Sequence, residues 1–329
     1  MAPDVREMLV SGPLANVSIA YRNKKYIADR VFPLIDNVDP KAKITRHLKG
    51  AWFRDEADVR AAGTRAKRGS FPADYLDINT KEYAFAKEVT DEDRRNAKRQ
   101  LAPPLKPDQD AIEFAADKID LKKEVRTAAL IKETVWSGIA AGGEDAEGLW
   151  APVGATNTFF DDVSDKIELI RAATGMRPNT LALDAGTYGK LKKVEELIDK
   201  IKYTQRGVLT AELIAAMLDL DEVLIGEAIK STAKETKAGT EFASTNVWEL
   251  TAGKGMAFLF YRPSSPGLKI PSAGYQARSW YIEQGNTARK TTVWREPAEH
   301  QDVYECAEET DIVATGADMG YMWKDTLLT

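Results

Sequence analysis

Thirty consecutive residues, 108 to 137 ("DQDAIEFAADKIDLKKEVRTAALIKETVWS"), contain neither glycine nor proline. Ile112, Ala115, Ala116 and Ile119 recur at helical spacing, and Leu121, Val125, Ala128 and Val135 continue the stripe. The spacing predicts one helix of ~45 Å at 1.5 Å per residue. Asp108 and Asp110 suit its N-terminus and Gly138 suits its end, with "AAGGEDAEG" following as loop. The rest of the chain has to be arranged along that rod.

The stretch before it is unusually charged. Residues 1 to about 38 mix apolar anchors (Tyr21, Tyr26, Ile27, Val31, Phe32, Leu34, Ile35) with charges and with Pro3, Pro13 and Pro33. Over residues 1 to 50, nine Lys or Arg stand against five Asp or Glu. The segment reads as an arm that docks on something else, with an ordinary domain edge as the alternative. In "YLDINTKEYAFAKEV" apolar and polar residues alternate, a strand pattern. A long polar connector, "VRAAGTRAKRGSFP", precedes it. Two strands joined by such a loop make a long hairpin across 39–89, with too few large apolar residues to support itself. A weakly self-stabilised hairpin gains stability by lying on a neighbour.

Downstream, Thr90 followed by Glu92 and Asp93 marks a helix start, and "LAPPLKP" breaks the chain. Residues 159 to 262 read as a compact α/β unit. Its helix "DDVSDKIELIRAATG" buries Val163, Ile167 and Ile170 and closes at Gly175. The strand "NTLALD" follows, then a helix "AGTYGKLKKVEELIDKI" with Leu191, Val194, Leu197, Ile198 and Ile201 inward, and a short helix capped by Thr210. "DEVLIGEAI", "TNVWEL" and "MAFLFYR" are strand candidates. "TTVWRE", "DVYECAEE" and "DIVAT" form a second group beyond a proline-rich divider.

The residues give no positive argument for an enzyme. Gly186, Gly189, Lys190 and Leu191 make a loop two residues too short for a P-loop, with leucine where the magnesium-binding hydroxyl belongs. Asp184 reads instead as a strand end and helix cap. Cys306, the one cysteine, reads as a structural thiol. His47 and His300 lack partners at catalytic spacing and read as surface residues. Asp161-Asp162 and Glu308-Glu309 read as acid pairs on solvated faces. One cysteine and two histidines cannot build a zinc site, and no cofactor is expected. The net charge of −5 argues against a dedicated nucleic-acid binder. The chain shows no signal peptide and no apolar run long enough to cross a bilayer, so an intracellular product, or one assembled inside a cell, is expected.

The order of parts resembles the major capsid proteins of tailed bacteriophages, a fold shared with herpesvirus capsid floors and encapsulins. "FFDDVSDKIELIRAATGMRPNTLALDAGTYGKLKK" carries the most characteristic local likeness: a helix, then G-x-R-P-N-T leading into a strand, then a helix with an aromatic and a leucine. "EVLIGEAI", "NVWEL", "KGMAFLFYRPSSP" and "FPLIDNVDPKAK" add to it. The resemblance implies an α+β fold of N-terminal arm (1–38), extended β-hairpin loop (39–89), peripheral β/α domain with a long spine helix (90–158), axial α/β domain (159–262) and returning peripheral strands with the C-terminus (263–329).

It further implies self-assembly through pentamers and hexamers into an icosahedral shell enclosing double-stranded DNA, held by non-specific contact. The location is then the virion, with assembly in the host cytoplasm, no membrane, and portal, scaffolding or decoration proteins as further partners. The chain begins at the arm, so scaffolding help is expected from a separate protein or a processed precursor. Assembly-interface candidates are Asp55, Glu56, Asp58, Arg60, Arg65, Lys67 and Arg68 on the hairpin and Phe32 in the arm. An encapsulin-like compartment shell, or a soluble α/β ligand-binding protein or enzyme, is the alternative.

Overall fold

The structure is a computed structural model that describes residues 22–99, 106–150, 157–194, 197–199, 209–233, 242–250, 253–267, 269–280 and 289–327. Two five-stranded sheets and the long helix define it. Most of the arm, and Ile201 of the expected helix, lie outside the described residues.

The first sheet is organised by β13 (Gln301–Ala314), a single 14-residue strand. Sequence had divided it into "DVYECAEE" and "DIVAT"; no turn residue separates them, and continuous pairing holds the strand straight. One edge carries β4 (Lys81–Thr90), paired antiparallel from Lys81↔Thr310 to Thr90↔Gln301. The other edge carries β12 (Lys290–Glu296) along 301–307 and β11 (Gly274–Ser279) along 310–314. β1 (Leu34–Val38) adds parallel to β11.

The second sheet runs β5 (Glu144–Asp145), β14 (Gly320–Lys324), β10 (Met256–Phe260), β6 (Thr180–Asp184), β7 (Glu222–Gly226). Apart from the short edge strand β5 its strands are largely buried, and their side chains alternate between two cores, as the two-residue period of a strand requires. Leu181, Leu183, Ala257, Leu259, Tyr321 and Trp323 face one core. There they meet Val163, Ile167 and Ile170 of α5 (Phe159–Thr174), Leu191 of α6 (Ala185–Leu191) and Ile214 and Leu218 of α7 (Ala211–Leu218). Ala182, Met256, Phe258, Phe260 and Met322 face the other, shared with Trp136, Trp248 and Ile312.

The long helix α4 spans Pro107–Glu133, 27 residues or ~40 Å. Its first half lays Ala111, Ala115 and Ile119 on the long strand, against Tyr304 and Cys306. Its last turns lay Ala128 and Ile131 in the core shared with the second sheet. It therefore ties the two sheets together. It stops at Thr134, short of Gly138, because Trp136 turns inward (2% exposed) and donates to the Ile131 carbonyl at 2.8 Å. Val135, expected on the stripe, is half exposed.

Local starts and stops follow the sequence closely. Thr90 and Asp93 cap α3 (Asp91–Arg99) reciprocally: Asp93 N–H donates to Thr90 Oγ1 at 3.2 Å, and Thr90 Oγ1–H donates to Asp93 Oδ2 at 2.8 Å. Gly175 closes α5 in the left-handed region at φ 71°. Thr210 caps α7.

Several expectations need correction. The arm does not run to residue 38. α1 (Ala28–Val31) and β1 belong to the body, with Ile27, Val31 and Phe32 inside the core. The helix expected from residue 185 to 201 ends at Leu191; a turn follows at 192–193, and the described residues resume helically only at 197–199. Leu197 is buried as expected, but Ile198 is exposed. β1, β11 and β14 were not foreseen as strands, and β14 joins the second sheet rather than returning to the first. Glu308 and Glu309 are not solvated: they are 2% and 8% exposed. Glu308 binds Lys123 at 2.9 Å and Arg289 at 3.3 Å, and Glu309 accepts from Thr80 Oγ1 at 2.5 Å. Compensating cations on α4 and next to β12 allow the burial of Glu308.

Candidate assembly surfaces

"YLDINTKEYAFAKEV" forms two strands rather than one. β3 (Ala73–Asn79) pairs antiparallel with β2 (Lys41–His47), and β4 leaves after Thr80 to join the first sheet. The free hairpin is therefore 41–79, shorter than expected. Thr80 marks the switch: its N–H donates to the Pro40 carbonyl at 3.0 Å and its hydroxyl to Glu309. Asn79 N–H donates to Asp311 at 2.9 Å. Acceptors on the long strand thus clamp the hairpin base.

The stem has almost no core. Of β3 only Ile78 is buried. Cross-strand ion pairs Arg46–Asp74 (2.7 Å) and Lys43–Asp77 (3.6 Å) line it, both exposed and individually weak. The Arg46 guanidinium bonded to Asp74 holds that carboxyl below its usual range. A short turn of helix, α2 (Lys49–Trp52), follows the stem. His47, Trp52 and Phe71 gather there, with ring centroids 5.5–6.1 Å apart. His47 is half-buried in this cluster, not a free surface residue; His300 is exposed as expected. Lys49 reaches the body at Asp318 and at the Ala173 carbonyl (3.2 Å).

Phe53 also lies against Gly175 of the body, and beyond it the loop is mostly exposed. Lys67–Asp58 (3.0 Å) and Arg54–Glu56 (3.0 Å) pair across it. Asp55, Arg60, Arg65 and Arg68 are exposed and form no ion pair among the described residues. Val59 is fully exposed, and Trp52, Phe53 and Phe71 are more than half exposed. The seven charged candidates thus share one projecting loop. Phe32 does not join them: it is 0% exposed, edge-on to Phe260 and packed against Gly274. A large aromatic flanked by charges looks like an anchor for a partner; here the partner is the chain's own second core. The apolar residues of the loop were missed. Their sign in the sequence was "AWF" and "SF" inserted in a highly charged stretch.

The arm enters the body at a buried carboxylate. Glu124 of α4 is 0% exposed and accepts from Ile27 N–H (3.0 Å), Ala28 N–H (2.8 Å) and Trp248 Nε1 (2.5 Å). Burial pushes its pKa up, against the pull of these donors. In the opposite unit, Asp184 accepts from Gly186 N–H (2.8 Å) and Thr187 N–H (3.2 Å), and Lys190 donates to the Leu327 carbonyl. The glycines of this turn serve a helix cap, with the lysine spent on the chain's own C-terminal segment. Cys306 is buried between α4 and the long strand. Among the described residues no helix is long and apolar enough to cross a membrane.

No family model matches the chain. It is 28% identical, over 95% of both chains, to the major capsid protein of Burkholderia phage BcepMu. Its fold is similar to a phage-related protein of Bordetella bronchiseptica RB50 (TM-score 0.68, 20% identity, 94% of both chains). It is also similar to the capsid of cyanophage P-SCSP1u (0.60, 12%, 98% of this chain and 95% of the other) and to Mycobacterium phage Che8 (0.59, 12%, 97% and 98%). The likeness extends over 94–98% of this chain and not over one part of it. By fold the chain is thus similar to solved tailed-phage capsid structures, and over nearly its full length its sequence is similar to a phage major capsid protein.

Proposed function

We propose that the chain builds its shell through pentamers and hexamers, with the hairpin 41–79 lying on a neighbouring subunit and the segment before Ile27 acting as a second reaching arm. One observation carries this: a projecting loop with Trp52, Phe53, Val59 and Phe71 exposed among charges. An exposed apolar group rimmed by charges is the mark of a surface that meets a partner. The unit around the second sheet then surrounds each capsomer axis, the first sheet with α4 forms the periphery, and the clamp at Thr80 sets the angle at which the hairpin leaves.

Asp55, Glu56, Asp58, Arg60, Arg65, Lys67 and Arg68 set register and partner choice more than affinity. Many modest contacts repeated around closed rings sum by multivalency, and weak single contacts let misplaced subunits leave. A chain of net charge −5 encloses double-stranded DNA without trapping it, since dense phosphate contacts would bind it strongly. Portal, scaffolding and decoration proteins would meet the same assembled shell.

Deletion of 56–72 tests the reading. The expected product is a soluble, helical subunit that closes no shells by negative-stain microscopy. Normal particles from that deletion would remove the hairpin from the assembly mechanism.

A further inference from the structure

Three carboxylates from two separate parts of the chain converge where β5 meets β14. Asp145, Glu147 and Asp325 each present an oxygen, and these oxygens lie within 4.8 Å of one another. Asp145 and Glu147 are exposed, whereas Asp325 is 7% exposed. Among the described residues Asp325 Oδ1 is buried without a hydrogen-bond partner. A buried acceptor with no donor costs ~1–3 kcal/mol unless something satisfies it. Two ammonium groups stand near without doing so: Lys254 Nζ is 3.8 Å from Asp325 Oδ2, and Lys324 Nζ is 4.0 Å from Asp145 Oδ2. Both are beyond hydrogen-bond length. Three negative charges facing two positive ones leave the cluster net negative. Glu144, next in the chain, contrasts with it: Lys166 at 3.1 Å and Tyr321 already engage its carboxylate.

We propose that Asp145, Glu147 and Asp325 bind a divalent cation of the calcium class. Carboxylate oxygens are hard ligands, suited to Ca²⁺ rather than to soft-ligand metals. Three oxygens no more than 4.8 Å apart lie within ~2.8 Å of a common point, so a shift of a few tenths of an ångström brings all three to the ~2.4 Å of Ca–O bonds. Magnesium demands a tighter octahedron than an open site with two exposed ligands supplies. Water completes the sphere on the exposed side. An affinity of ~0.1–1 mM is expected, the range of open extracellular calcium sites.

The ion would act as a staple. β5 holds β14 through only two residue pairs, Glu144↔Trp323 and Asp145↔Lys324, with one further bond from Ala146 N–H to the Lys324 carbonyl (3.0 Å). Asp325 sits just beyond, in the left-handed region at φ 56°. A cation there joins the loop after the long helix to the C-terminal strand at the edge of the second sheet.

Terbium tests this on the full chain, because Trp323 stands two residues before Asp325 and its ring lies 5.5 Å from that of Trp150. Tb³⁺ alone should give saturable, tryptophan-excited emission that Ca²⁺ displaces, and Ca²⁺ at 10 mM should raise the unfolding midpoint by about 2–4 °C. Asp325→Asn keeps a residue tolerant of positive φ, and Glu147→Gln changes an exposed side chain, so at least one variant stays folded. Each should abolish the emission and the thermal shift, while Glu92→Gln on α3 keeps both. Emission that fails to saturate, resists Ca²⁺, or persists in a folded variant overturns the site, as does a midpoint insensitive to Ca²⁺.

Discussion

Lys123 of the long helix and Glu308 of the long strand form a buried ion pair at 2.9 Å, with the glutamate 2% and the lysine 7% exposed. Arg289, 3.3 Å from Glu308, extends it to Asp120 one turn earlier on the helix, and Asp29 next to the arm root lies 3.2 Å from Lys123. The network joins helix, strand and arm root at one point. Breaking a buried pair costs more than the pair contributes, because the remaining charge is stranded. Glu308→Gln should therefore destabilise the subunit by ~3–5 kcal/mol in urea unfolding, and Lys123→Met/Glu308→Leu by less than Glu308→Gln alone. Equal losses would mean the pair contributes net stability.

Glu124 predicts a pH dependence. Burial raises its folded pKa above the unfolded value, with the donors from Trp248, Ile27 and Ala28 pulling down and Asp29 adding to the rise. The folded state thus holds this proton more tightly than the unfolded one. Its contribution to stability is fully present below the ordinary glutamate value and is lost as pH rises through the raised folded value. The advantage of wild type over Glu124→Gln should be largest near pH ~4 and smaller at pH ~8. Denaturation at several pH values measures it; an advantage that grows with pH contradicts the assignment.

Asp184 separates a helix cap from a phosphate site. Asp184→Ala removes acceptors for two backbone N–H groups and should cost ~1–2 kcal/mol. Lys190→Ala, losing its bond to the Leu327 carbonyl, should cost about 1 kcal/mol and leave assembly near wild type. Nucleotide binding by wild type that disappears in Lys190→Ala would revive a phosphate role.

Val59 tests the projecting loop without disturbing the fold. It is fully exposed, so Val59→Asp should change subunit stability by no more than ~0.5 kcal/mol. Shell formation, followed by light scattering, should nevertheless fall sharply, because a buried charge would replace an apolar contact. Unchanged assembly kinetics would place Val59 outside the interface.

What the sequence alone determined is local. A cap needs its partner within three residues, so Thr90 with Asp93, Asp184 with Gly186 and Thr187, and Thr210 with Leu213 could be read from spacing. The same holds for the buried strand Thr180–Asp184, the stripe of α5 and its close at Gly175. The order of such elements also carried the resemblance to phage capsid proteins. Tertiary structure decided whatever depends on a distant partner. Phe32 lies inside because Phe260 and Gly274 wait for it more than two hundred residues away. Glu308 is buried because Lys123 and Arg289 neutralise it. β4 leaves the hairpin because the long strand offers ten residues of ladder, more than β2 does. β14 crosses to the second sheet because its alternating Tyr321, Met322 and Trp323 fill both cores there. Alternation says that a strand has two faces; only the packed chain says which core each face meets.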